Sequence, residues 1–268
     1  MTRPLPPVRS FLRHAALVLA TAAALAALTG PVPAAAQVDS TRVVVRAVAH
    51  DAKLVQSPVG GAQIRIADAE TGEVLAEGIQ RGDSGSTEAI MRQPHERHAS
   101  IYDTEGAAHF DTTLALERPR RVTVTARGPL DYPDAMQSAS ITTTLLPGHH
   151  VEGDGLVLSL HGFIVEPLTD PSALTPGRTV DVRSRVRMMC GCPTEPGGLW
   201  DSNRFTIRAQ ALGPDGDVLA SAPLSFAGTT SEYSGSLSLP DAANRVRITA
   251  VDDTGTNAGQ AVVETTAP

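Results

Sequence analysis

The only two cysteines in the chain, Cys190 and Cys192, are separated by one glycine and directly follow two methionines, Met188 and Met189. A bridge between them would close a very small ring, which constrains the unfolded chain little and is strained. The pair is therefore a poor crosslink for stabilising a fold. Four roles remain: binding a soft metal ion, forming a reactive disulfide, bonding to another chain, or packing in the interior.

Copper fits the chemistry of this cluster. Thiolate and thioether sulfurs favour Cu(I), and two thiolates one residue apart can chelate it. Alternation along the preceding strand turns Met188 toward the core and Met189 outward. We therefore expect a copper site formed by Met189, Cys190 and Cys192, where the strand opens into a loop. Zinc fits less well, because structural zinc sites use four ligands and only two cysteines exist.

Two other interpretations of the cysteines stay open. A strained Cys-Gly-Cys bridge is easily reduced and re-formed, which favours a thiol-disulfide protein, although no βαβ pattern of the thioredoxin type surrounds it. Alternatively, Met188 lies in the core and the cysteines form an inert bridge that rigidifies a loop.

Histidines provide a second candidate metal site. His95 and His98 lie three residues apart in a polar segment, and His109 points away from the core of a predicted strand. Imidazole suits copper or zinc, so these three side chains are candidate ligands. The pair His149-His150 and the outward-facing His161 form a further set near the middle of the chain. The alternative is that all of them are solvated surface residues.

Conventional catalytic motifs find little support. The segment Gly82-Asp83-Ser84-Gly85-Ser86 resembles half of a serine-nucleophile motif, but no strand-to-elbow-to-helix pattern accompanies it. Carboxylates are plentiful and scattered, as solubility alone would require. We therefore expect a protein without enzymatic activity.

The first 36 residues have the pattern of a cleaved signal peptide. Three arginines within the first 13 residues precede an apolar stretch at 15–28, and small residues end at Ala36. That stretch is shorter than the roughly 20 residues that a membrane-spanning helix needs. We expect an exported protein without a transmembrane segment, either periplasmic or secreted.

Charge excludes one class of partner. The chain has 22 basic and 29 acidic side chains, and removal of residues 1–36 takes away three arginines, leaving 19 against 29, a net charge of −10. Only one lysine, Lys53, is present. Nucleic-acid binding needs clustered basic residues in excess, so we expect no nucleic-acid partner and instead a protein partner in the envelope or periplasm.

Alternation with a period of two dominates the rest of the sequence and predicts half-buried strands. The fold class that follows is all-β, with many short strands separated by glycine-containing turns. The predicted strands cover 62–66, 110–116, 122–126, 156–160, 180–188, 205–211, 237–239 and 246–250. Three prolines interrupt the alternation at 166–177. We therefore predict two antiparallel β-sandwich domains after the signal peptide, at 38–166 and 167–268.

The first half resembles a transthyretin-like or carboxypeptidase-regulatory-like β-sandwich. The residues that carry the resemblance are Gly61–Ile66, the turn Thr71-Gly72, Asp103–Gly106 leading to Phe110, and the strand Val122–Ala126. The chain departs from that pattern by a long, polar, histidine-bearing insertion at 81–102. A long loop on a rigid scaffold is a candidate functional loop.

The second half resembles a bacterial immunoglobulin-like domain. The resemblance rests on strands at 179–188 and 204–212, on Tyr233–Pro240, and on Arg245–Asp253 with its Ala-x-Asp ending. Both resemblances imply binding, spacing or accessory roles, although fold alone does not decide function. The resulting hypothesis is an exported, non-enzymatic binding or accessory protein with a copper site. The alternatives are an envelope-interaction module with inert cysteines and a thiol-disulfide protein.

Overall fold

The computed structural model describes residues 1–2 and 39–266. Residues 3–36 of the predicted signal peptide and residue 38, at the start of the first predicted domain, lie outside the described residues. The strands described below belong to one compact unit, Val38–Pro268.

Seven strands form a sandwich at the N-terminal side of that unit: β1 (Asp39–Ala49), β2 (Ala62–Asp68), β3 (Val74–Gln80), β4 (Phe110–Leu116), β5 (Arg120–Gly128), β6 (Gln137–Leu145) and β7 (Val151–Leu160). One sheet has the order β4-β1-β7, with β1 and β7 parallel, and the other has the order β3-β2-β5-β6 and is antiparallel throughout. Side chains on the inner faces, such as Ile64, Ile66, Val122 and Val124, are fully buried.

Eight strands form the second sandwich: β8 (Phe163–Pro167), β9 (Arg178–Met188), β10 (Phe205–Leu212), β11 (Val218–Pro223), β12 (Ser225–Phe226), β13 (Glu232–Leu239), β14 (Arg245–Asp252) and β15 (Ala258–Glu264). The sheets have the orders β12-β13-β9-β8 and β11-β10-β14-β15. With β8 taken as strand A, the first sheet is A-B-E-D and the second is C-F-G with β11 added beside C as strand C′, which is the arrangement of an immunoglobulin-like sandwich. The predicted all-β fold class is therefore confirmed.

Alternation positions the core as expected. On β9, Val180, Val182, Val186 and Met188 are buried, and burial of each such side chain contributes about 1.5–3 kcal/mol. Strand β8 is hydrogen-bonded to β9, so its residues 163–167 belong to the second sandwich. The division into domains at 38–166 and 167–268 stays a prediction.

Strand β1 differs from its neighbours because both of its faces are covered. All residues from Val43 to Ala49 are buried. On the outer face of the β4-β1-β7 sheet, Val48 packs with Leu54, Ala107 and Ala108, and Tyr102 of the inserted segment packs against this cluster. The insertion is therefore part of the packed structure.

Helical structure in residues 39–266 is confined to short turns, the longest of which is the five-residue π-helical turn Glu88–Arg92. Among the described residues, no helix has the length and apolar character needed to cross a membrane.

Candidate functional site

The Met-Cys cluster forms a tight chain reversal at the end of β9. The Met188 amide donates to the Cys192 carbonyl at 3.1 Å, and the Gly191 amide donates to the Met188 carbonyl at 2.8 Å. Cys190 and Cys192 are joined by a disulfide, so the described chain has no free cysteine. Gly191 adopts a positive φ of 80°, which glycine tolerates without strain.

This reversal is buried against the N-terminal sandwich. Cys190 is 0% exposed and Cys192 is 5% exposed. The Gln56 side-chain amide donates to the Cys190 carbonyl at 2.9 Å. A β-carbon added at Gly191 would lie 2.7 Å from a methyl group of Val59, so only glycine fits there without displacement. The bridge therefore lies in the contact between the two sandwiches.

The structure contradicts the predicted outward orientation of Met189. The alternation placed its side chain outward, but the structure buries Met188 and Met189 alike. The sulfur of Met189 packs on Gly162, where an added β-carbon would lie 3.2 Å from it. Alternation predicts an exposed Met189 only where the outer face of β9 meets solvent. At the end of β9 the connection between β7 and β8 covers that face.

Further hydrogen bonds hold the same contact region. The Trp200 indole donates to the Asp51 carbonyl at 3.0 Å. Asn257 donates from its side-chain amide to the His50 carbonyl at 3.1 Å, and its side-chain oxygen accepts from the Gly162 amide at 2.8 Å. Each of these hydrogen bonds gives a partner to a backbone carbonyl or amide that burial separates from water. The turn and loop residues around the disulfide are thus positioned by both sandwiches.

A sulfur site for copper requires thiolates. In the oxidised protein described here, the sulfurs of Cys190 and Cys192 are bonded to each other. A Cu(I) site at Met189, Cys190 and Cys192 would first need this bridge reduced, and it stays a prediction.

The three histidines of the second candidate site differ in their hydrogen bonding. His95 and His109 bond through their rings to the carbonyls of Ala89 and Ala107, at 2.6 and 2.9 Å, and His98 is exposed. In the part of the chain that the structure describes, no group of three or more His, Cys, Asp or Glu side chains is arranged to hold a metal ion. The His95, His98 and His109 set stays a prediction.

One histidine pair was missed by the sequence argument. His161 stacks on His50 with ring centroids 3.8 Å apart, and its Nδ1 bonds the Thr256 hydroxyl at 2.6 Å. Burial and the neighbouring His50 lower the pKa of His161. The pair lies beside the contact region. Asn257, which donates to the His50 carbonyl there, directly follows Thr256, the partner of His161. No periodicity could reveal a pairing between residues so far apart in sequence.

The insertion is fastened by a carboxylate that the sequence argument did not single out. Asp154 accepts hydrogen bonds from the Ser100 hydroxyl and from the amides of Ile101, Tyr102 and Asp103, at 2.7–2.9 Å. Burial opposes ionisation of Asp154, but these four donors outweigh it and hold its pKa below the usual value. The carboxylate therefore clamps one end of the insertion to β7.

Two glycines turn Asp154 toward the insertion. Gly153 and Gly155 both have positive φ, and the register between β1 and β7 shifts at this point, as at a β-bulge. A Gly-Asp-Gly triplet within an alternating strand is the sequence signal for this feature. A second fastening is the ion pair between Asp103 and Arg46, whose side chain is 2% exposed.

A cavity of about 360 Å³ lies between the insertion and β1 and β7. Its walls combine apolar groups such as Val48 and Met91 with the polar side chains of His50, His95 and Tyr102. Burial raises the pKa of Tyr102, and the charge of Asp154 adds to the effect. The volume lies at the lower end of the range for small-molecule pockets.

Comparison with known proteins adds little. No family model matches the chain, and no curated protein matches it. A solved crystal structure of the titin domains Z1Z2 in complex with telethonin is similar at 12% sequence identity. The similarity covers 86% of this chain and 96% of that chain, with a TM-score of 0.23.

Proposed function

We propose that this protein is an exported, non-enzymatic binding or accessory module in which the Cys190–Cys192 bridge is structural. The observation that supports this choice among the three hypotheses is burial of the bridge in the contact between the sandwiches. Thiol-disulfide exchange requires a thiolate to reach a sulfur atom, and Cu(I) binding requires free thiolates. A buried bridge meets neither requirement as long as the protein stays folded and oxidised.

Two finer parts of the proposal rest on other observations. Kinship of the first sandwich with transthyretin-like or carboxypeptidase-regulatory-like modules is supported by its seven strands in two facing sheets. Export is supported by the signal-peptide pattern of residues 1–36.

The experiment compares reduction of the bridge in the folded protein with reduction in a matched peptide. A synthetic peptide of residues 188–193 carries the same bridge without the burial. We expect dithiothreitol to reduce the native protein at least about tenfold more slowly than the peptide, and urea to abolish the difference. Equal rates in the folded protein and the peptide would refute the structural role and favour the thiol-disulfide protein.

The copper hypothesis is tested on the reduced protein under anaerobic conditions. Cu(I) is titrated against a chromogenic competitor with the native sequence and with the C190S/C192S double variant. Equal, weak binding by both supports a structural bridge. Tight binding that disappears in the double variant would replace the proposal with a copper site at Met189, Cys190 and Cys192.

A further inference from the structure

The outer face of the β3-β2-β5-β6 sheet is a polar surface with an unusual distribution of charge. Directly paired residues on antiparallel strands share a face, and the register therefore defines its members. We call it the basic sheet face, and it consists of Gln63, Arg65, Ala67, Val74, Glu77, Ile79, Arg121, Thr123, Thr125, Arg127, Ser138, Ser140, Thr142 and Thr144. The opposite sides of the same strands line the core.

The three arginines share this face with one carboxylate, Glu77, which lies directly opposite Arg65 in the register of β2 and β3. Arg65, Arg121 and Arg127 are exposed, and within residues 39–266 none of them forms an ion pair. The one carboxylate of the face, Glu77, accepts a hydrogen bond from the Gln63 amide at 2.6 Å. Three positive groups against one negative group make the face basic in an acidic protein.

Some of the other exposed arginines form ion pairs, whereas Arg81, Arg97, Arg118, Arg178 and Arg208 form none within residues 39–266. On β9, Arg183 and Arg185 both pair with Glu232. At the end of β5, Arg120 pairs with Asp68 and with a second carboxylate. The chain has more acidic than basic side chains, so partners for arginines are plentiful. On the basic sheet face, three arginines without an ion pair lie on one side of a single sheet, where they are available to an external anion.

The spacing of the three guanidinium groups suits an extended polyanion. Arg121 and Arg127 are six residues apart on β5, which corresponds to about 20 Å along the strand. Arg65 pairs with Thr125 on the neighbouring strand and so lies between them, one strand away. The three arginines are spread over the face, with Arg65 two residue positions from Arg127 and four from Arg121, whereas a site for a single small anion would need all three to converge.

Hydroxyl side chains lie on the same face, among these arginines. Six of the fourteen residues are serine or threonine, and the Thr123 and Thr142 hydroxyls bond each other across the strands at 3.2 Å. Hydroxyl side chains both donate and accept hydrogen bonds, which matches the hydroxyl groups of sugars. An acidic polysaccharide offers both the anionic groups and the hydroxyls that this face complements.

Rival polyanions match the face less well. Its fourteen residues include no aromatic side chain, and single-stranded nucleic acid binds through aromatic stacking platforms. Its large apolar residues are Val74 and Ile79, near opposite ends of β3, and they offer little apolar area for insertion into a membrane surface.

We propose that the basic sheet face binds an acidic polysaccharide. Arg65, Arg121 and Arg127 contact its carboxylate or sulfate groups, to which guanidinium groups bind in a bidentate manner. The serine and threonine hydroxyls contact the sugar hydroxyls between them. This inference rests on the proposed function as a non-enzymatic binding module and names the class of its ligand.

The test measures binding of the full chain to alginate, dextran sulfate and uncharged dextran at low ionic strength. Alginate presents carboxylates and dextran sulfate presents sulfates, so the two arms distinguish the anionic group. We expect binding to at least one of them, none to dextran, and weakening by salt through screening. Absence of binding to both acidic polymers would overturn the inference.

Charge variants locate the site. An exposed ionic contact contributes about 0.2–1 kcal/mol, so the R65Q/R121Q/R127Q triple variant should bind roughly 3-fold to 150-fold more weakly. The matched control is R97Q/R178Q/R208Q, which removes the same charge from exposed arginines elsewhere on the chain. Equal losses in both triple variants would show a general charge effect and refute the assignment to this face.

Duplex DNA and anionic lipid vesicles serve as rival probes. Tighter binding to either than to both acidic polysaccharides would replace the inferred ligand.

Failure of polysaccharide binding is distinguishable from failure of the proposed function, because the proposed function is judged by disulfide accessibility and Cu(I) binding. The triple variant should keep the thermal unfolding temperature of the native sequence, since its three arginines make no ion pair in the described fold.

Discussion

Replacing Asp154 by alanine should release the inserted segment from the sheet that it covers. The carboxylate accepts one hydrogen bond from a hydroxyl and three from consecutive backbone amides of the insertion. Alanine removes all four acceptor contacts at once. The peptide segment around Tyr102 then loses its hydrogen bonds to β7 and keeps the neighbouring ion pair between Asp103 and Arg46 and the packing of Tyr102.

The size of the effect follows from the exposure of these bonds. A net hydrogen bond contributes about 0.5–1.5 kcal/mol, and the amides here can regain water when the segment opens. Four bonds at the lower end of that range give a loss of about 2–4 kcal/mol. The loss should appear as local opening of the insertion, with a smaller change in the global free energy of unfolding, because the insertion covers the sheet without forming its strands.

Hydrogen exchange measures this opening directly. In D154A, the amides of Ile101, Tyr102 and Asp103 should exchange about 30-fold to 1,000-fold faster, which is the same free energy expressed as an equilibrium constant. The matched control is E152A, two residues away on β7, which removes an exposed ion pair with Arg42. Unchanged protection in D154A, or equal acceleration in E152A, would refute the role assigned to this carboxylate.

Acid should mimic the alanine variant. The pKa of Asp154 is lower in the folded protein than in the unfolded chain, so its contribution is present above pH about 4 and is lost as the pH falls through the folded value. Exchange at the three amides should therefore accelerate below pH about 4 more than the intrinsic pH dependence of exchange predicts. D154A should show no such additional change.

Two further predictions concern single residues elsewhere in the fold. Substituting Gly155 by alanine should destabilise the protein by more than about 2 kcal/mol in urea denaturation, because an added β-carbon would overlap a backbone carbonyl of β1. Gly216 has a similar positive φ but open space around it, so G216A should cost only about 1 kcal/mol, and equal costs would contradict the argument. Stability should also fall as the pH drops below about 6.5, because the pKa of His161 is lowered in the fold by burial and by His50, and the unfolded state binds the proton more readily. Thermal unfolding from pH 5 to 8 measures this slope; H161Q should reduce it, and an unchanged slope would assign it to other groups.

Several strands were predictable from the sequence and others were not, for a physical reason. Strands with one buried face, such as β2, β5 and β9, show the alternation that the argument detects. Strand β1 shows an almost continuous apolar run because the insertion covers its second face. Strand β6 is polar at most positions, and its inward-facing residues Ala139, Ile141 and Thr143 are only partly buried. Periodicity therefore detects a strand only when one face alone is buried.

The cysteine cluster shows the same limit at the level of a site. Its unusual composition marked it in the sequence, and its place at the end of a strand was predicted. The burial of Met189 and Cys190 was not, because it depends on Gly162 and on Gln56, which is 134 residues away from Cys190. Local patterns carry no information about which distant segment packs over a given turn.

By itself, the sequence determined the fold class, the strand periodicity of most of the core, the acidic balance and the two cysteines at the end of β9. Each of these depends on composition or on neighbours within a few residues. Tertiary structure alone decided that the outer face at Met189 is covered, that His161 meets His50, and that Asp154 clamps the insertion. It also decided that three arginines from two strands lie on one face of a sheet, because strand pairing and not sequence distance brings them together.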